Sequence, residues 1–75
     1  MILSSVDMAK KHPEYDRGFK FGLTAGREMF SKYGRAFAEH QVQQLAANAR
    51  RRGKSVDERA FDRGYTEGYR AALIR

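Results

Sequence analysis

The chain repeats itself, and the repeat limits what it can fold into. Tyr15-Asp16-Arg17-Gly18-Phe19-Lys20-Phe21-Gly22-Leu23-Thr24-Ala25-Gly26 returns 46 residues later as Phe61-Asp62-Arg63-Gly64-Tyr65-Thr66-Glu67-Gly68-Tyr69-Arg70-Ala71-Ala72. Each copy reads aromatic-Asp-Arg-Gly-aromatic, then Gly four residues on, then a small residue four further. On an α-helix that spacing stacks the small residues into one narrow stripe. Each interior glycine costs roughly 0.8–1 kcal/mol of helix propensity relative to alanine. A smooth strip against which another backbone can approach closely would offset the cost. A large residue follows each glycine: Phe19 after Gly18, Leu23 after Gly22, Tyr65 after Gly64, Tyr69 after Gly68. The spacing therefore predicts a helix-packing surface built from Gly18, Phe19, Gly22, Gly26, Gly64, Tyr65, Gly68 and Tyr69. In it the two copies meet each other, or meet the same copies in a second chain.

Local signals divide the chain into three helices. Pro13 opens the first, with Glu14 and Asp16 in its first turn, and Gly34 stops it after Tyr33. Tyr15, Phe19, Leu23 and Phe30 are its expected large apolar contacts. A second helix is expected over 35–52, with Ala38, Val42, Leu45 and Ala49 forming its apolar stripe and Gly53 ending it. Ser55-Val56-Asp57-Glu58 matches a capping box and starts a third helix over 55–74, on which Arg63 and Glu67 are an i, i+4 pair. Residues 1–12 read as a flexible or short helical arm. No segment alternates with period two, so the expected fold is all-α, a single small three-helix domain. At 75 residues its own core is marginal, and a homo-oligomer is one way to bury more surface.

The net charge of +6 is unevenly placed. Residues 35–54 carry five Lys/Arg against one acid, concentrated at Arg50-Arg51-Arg52-Gly53-Lys54. Such a cluster suits a polyanion, most often nucleic acid, and equally suits a helix C-terminus whose dipole favours cations. The chain lacks cysteine, which removes disulfides and thiolate metal sites and fits a cytoplasmic location. It contains no apolar core for a signal peptide and no run long enough to span a membrane.

Catalytic chemistry finds little support. Gly53-Lys54-Ser55 resembles the end of a phosphate-binding loop, but the required first glycine falls on Asn48. His12 and His40 lie far apart without a metal-ligand spacing, and His40 beside Glu39 reads as solvated. Asp57, Glu58 and Asp62 read as a solvated acidic face. A helix-turn-helix around Gly53 would place Arg59 and Asp62 where apolar residues belong. The expectation is a chain that is no enzyme and holds no metal or cofactor.

Arg17-Gly18-Phe19-x-x-Gly22 with Gly26-Arg27, followed by Tyr65-x-x-Gly68-Tyr69-Arg70-x-Ala72, resembles the ribosome modulation factor family. The resemblance implies a small basic helical protein that binds ribosomal RNA and silences the ribosome. The family's Cys-Pro-Tyr segment has no counterpart here, and an additional helix separates the two halves.

Two functions follow. One is a regulator binding nucleic acid, RNA above all, with Arg50, Arg51, Arg52, Lys54 and Arg35 on phosphates and with Tyr33 or Tyr69, where exposed, stacking on unpaired bases. The other is a protein-interaction module, either a homodimer or a small inhibitor of a larger protein. An arginine cluster continuous with exposed aromatics favours the first; arginines remote from an exposed apolar patch favour the second.

Overall fold

A computed structural model describes residues 12–74 and consists of three helices: α1 (Pro13–Tyr33), α2 (Arg35–Ala49) and α3 (Val56–Leu73). The described residues contain no strand. The expected arm over 1–12 lies outside them, His12 excepted.

His12 caps α1, its Nδ1 accepting the Glu14 N–H at 3.1 Å, and Pro13 follows where no N–H is needed. The same imidazole reaches across to α3, with Nε2 2.9 Å from Asp57. The neutral Nε2–H tautomer satisfies both contacts. Gly34 ends α1 and begins α2 in one residue: its N–H donates to the Phe30 carbonyl, and its own carbonyl accepts from Ala38. At φ 89 and ψ 173 it occupies a region open essentially to glycine alone.

α2 ends at Ala49, three residues short of the expected boundary at Arg52. Beyond Ala49 only Arg50, Arg51 and Arg52 follow, and none gains by packing. Their segment tightens instead, Arg50 and Arg51 donating to the carbonyls of Ala47 and Asn48, and Gly53 turns the chain at φ 86. Ser55 then caps α3 with the full capping box: Glu58 N–H to Ser55 Oγ at 3.2 Å, and Ser55 N–H to Glu58 Oε1 at 3.3 Å.

The repeat pairs within one chain. α1 packs most extensively on α3, while α2 lies mainly on α3 and touches α1 less. A Cβ added to Gly18 would overlap the Phe61 carbonyl and crowd the Tyr65 nitrogen; one added to Gly64 would do the same to the Tyr15 carbonyl and the Phe19 nitrogen. Gly22 lies against Tyr65 and Gly68 against Phe19 in the same reciprocal way. Adding 46 to the α1 residue of a contact and subtracting 46 from its α3 residue gives the reciprocal contact, so the contact is two-fold symmetric within a single chain. Contacts advance together along both helices, from Gly18 with Phe61 to Gly26 with Tyr69 and Ala72, so α1 and α3 run parallel. α2 is the return segment that a parallel pair requires.

Flanking rings obey the same symmetry. Tyr15 and Phe19 have centroids 6.1 Å apart at 35°, and Phe61 and Tyr65 lie 6.1 Å apart at 33°. α2 covers one side of the pair, where Ala38, Val42, Tyr69 and Leu73 form the buried cluster with Ala25, Met29, Leu45 and Tyr65 packed around it. Phe30, expected inside, stays 38 % exposed because it stands in the last turn of α1 at the corner with α2.

Candidate functional site

The residues singled out in the sequence fall into three places. The glycine-aromatic set, Gly18 with Phe19, Gly22, Gly26, Gly64, Tyr65, Gly68 and Tyr69, lies in or beside the α1–α3 contact. Tyr69 is 2 % exposed, which removes it as a stacking surface. Its hydroxyl is buried without a hydrogen-bond partner among the described residues, and burial, with Tyr65 adding to it, raises its pKa.

Arg50, Arg51 and Arg52 stand exposed in the turn beyond α2, and no carboxylate pairs with them among the described residues. Cations just past a helix C-terminus complement its dipole, which accounts for their tolerance there. Lys54 behaves otherwise. It forms an ion pair with Asp62, its side chain 16 % exposed, and so ties the turn to α3. Arg35 stands at the far end of α2, roughly 22 Å away by helical rise, 3.4 Å from Glu39 and with its guanidinium 5.4 Å from the Phe30 ring centroid. The five expected phosphate contacts are thus three free arginines, one lysine bound to the fold, and one arginine at the opposite end.

The exposed aromatics also separate. Tyr33, 59 % exposed, and Phe37, 40 % exposed, meet with centroids 4.7 Å apart at the α1–α2 corner near Arg35. Phe21, 54 % exposed, lies on α1 with the Arg17 guanidinium 6.0 Å from its ring centroid and the Phe61 ring 6.2 Å away. Phe21 carries one mark in the sequence: the repeat replaces it with Glu67.

The acidic residues do not gather. Asp57 meets His12, Glu58 completes the α3 cap, and Asp62 holds Lys54. His40 is exposed and lies 3.3 Å from Gln44. Glu28 is held below the usual carboxylate range by its hydrogen bond and charge pairing with Lys32 at 2.8 Å. Tyr15 is half-buried. Its hydroxyl donates to Glu67 Oε1 at 2.9 Å, and Glu67 Oε2 lies 3.0 Å from Arg63 Nε. Burial first, and then the Glu67 bond and charge, push the Tyr15 pKa up to about 12. No described helix is long and apolar enough to cross a membrane.

The chain is thus a small all-α protein built on an internally symmetric helix pair. No protein family, curated protein or solved structure matches it.

Proposed function

We propose that this chain is a small non-enzymatic regulator of the cytoplasm that binds nucleic acid, with RNA, and ribosomal RNA first, as its target. The observation that carries the reading is the run Arg50–Arg52, exposed and without carboxylate partners among the described residues on a chain of net charge +6. Three adjacent guanidinium groups on a turn can each meet a phosphate and release its counterions, which makes affinity depend on salt. The ribosomal target rests on the family resemblance of the two Gly-aromatic segments.

The test uses the full chain and a labelled RNA, with anisotropy followed across salt concentration. Replacing all three arginines by glutamine (R50Q/R51Q/R52Q) is expected to flatten the slope of log affinity against log salt by about 2–3. Unchanged affinity and slope would refute the assignment. Cosedimentation with ribosomes at low salt, lost in that variant, tests the ribosomal arm.

One observation favours a second reading, a module that docks on a protein. Tyr33 and Phe37 form an exposed aromatic pair beside Arg35, at the end of α2 away from the arginine run. Aromatic and arginine side chains are the usual anchors of such interfaces. Tyr33→Ala with Phe37→Ala is the variant that separates it from the first.

A further inference from the structure

The internal symmetry supplies a control for reading the surface, because each edge of the α1–α3 pair has a counterpart. On one edge Tyr15, Glu67 and Arg63 form a polar group in which the phenol donates to the carboxylate and the guanidinium lies against it. The equivalent positions on the other edge are Phe61, Phe21 and Arg17. There the carboxylate is replaced by Phe21, 54 % exposed, and the phenol by Phe61, and the Arg17 guanidinium lies 6.0 Å from the Phe21 ring centroid and 3.6 Å from Glu14 of its own helix. The fold therefore has a polar solution for this position and does not use it on the second edge. Keeping a half-bare phenylalanine there contributes little to the core.

Phe21 borders a shallow groove between α1 and α3, completed by Thr24, Ala25, Glu28, Phe61 and Tyr65. Ala25 and Tyr65 also pack against the cluster beneath α2, so the groove opens on the side of the molecule that α2 crosses. That is the helix whose C-terminus leads into Arg50–Arg52. Along α1, Lys20 and Arg27 are exposed and have no ion-pair partner among the described residues; Arg17 has only Glu14, at 3.6 Å. Two acids stand nearby: Glu28, bound by Lys32, and Asp16, exposed one turn before Lys20. The groove is lined by aromatic rings and by Glu28, whose charge Lys32 offsets, while Arg17, Lys20 and Arg27 stand exposed on the same helix.

Building on the nucleic-acid reading, we infer that this edge binds single-stranded nucleic acid, with an unpaired base stacked on Phe21 at the mouth of the groove and the flanking phosphates on Arg17 and Lys20. An aromatic ring accepts any base face, while duplex bases are already stacked and cannot use it. The edge therefore discriminates strandedness, and the arginine run adds affinity for either form.

The experiment compares single-stranded and duplex RNA of equal length on the full chain, by anisotropy at low salt. Phe21→Ala is expected to weaken single-strand binding about tenfold and to leave duplex binding unchanged. Its circular dichroism melt should match the parent, since half of the ring already faces water. The chain has no tryptophan, so Phe21→Trp gives a single reporter whose emission a stacked base quenches. If Phe21→Ala binds single strands as the parent does, or the Phe21→Trp emission is unmoved at saturation, the stacking site is refuted. With the arginine triple variant still weakened, the nucleic-acid reading survives that result; with it also unaffected, both fall. A protein retained after nuclease treatment and released by Phe21→Ala would overturn the inference in favour of protein docking.

Discussion

At the scale of single residues, Tyr15 shows how one hydroxyl can couple the fold to pH. The fold favours its protonated form, since burial and the Glu67 carboxylate both raise its pKa from 10.0 to about 12. Its contribution is complete below pH about 10 and is lost as pH rises through about 12. Tyr69 shifts in the same direction. The melting temperature is thus expected to fall across that window, and to fall less steeply in Tyr15→Phe. An identical pH profile for the two proteins would show that the Tyr15–Glu67 bond is not formed in solution.

At the scale of elements, the parallel contact of α1 and α3 is what the glycines make possible. A methyl group on Gly68 would enter the Phe19 carbonyl, and one on Gly22 the Tyr65 carbonyl, so in either variant the helices must move apart. The stripe relaxes towards its end, where a Gly26 Cβ would lie 2.8 Å from both the Tyr69 carbonyl oxygen and the Ala72 Cβ. Overpacking of this kind costs about 1–3 kcal/mol, against a helix-propensity gain of up to about 1. Gly68→Ala and Gly22→Ala are each expected to lower the melting temperature by roughly 4–8 °C per net kcal/mol, and Gly26→Ala by less. A Gly68→Ala protein melting at or above the parent temperature would contradict the close contact. Gly34 and Ser55 act on their own segments, through backbone conformation and capping, and both positions were legible in the sequence for that reason.

At the scale of the whole molecule, the symmetric pair is the rigid unit and α2 is the dependent one. Only Ala38 and Val42 are buried on α2, whereas α3 buries residues along most of its length. Local stability follows buried contact, so amide exchange is expected to be slowest near Gly22 and Gly68 and to begin over 43–49. Uniform exchange across all three helices would show that α2 is an equal partner. Placement of charge belongs to this scale too. The sequence shows that Arg50, Arg51, Arg52 and Lys54 are neighbours in the chain, but only the folded molecule frees three of them and binds the fourth to Asp62. The same holds for Tyr69 and Phe21, one expected to stack where exposed yet buried, the other marked only by its replacement in the repeat yet bare. Local chemistry, acting over four residues or fewer, is written in the chain: the start of α1 at Pro13, its stop at Gly34, the capping box at Ser55 and the stripes of small residues. Which stripe meets which, that they meet in parallel within one chain, and which rings remain in water depend on packing between residues some 46 positions apart. In the chain α2 is the connection between the two parallel copies.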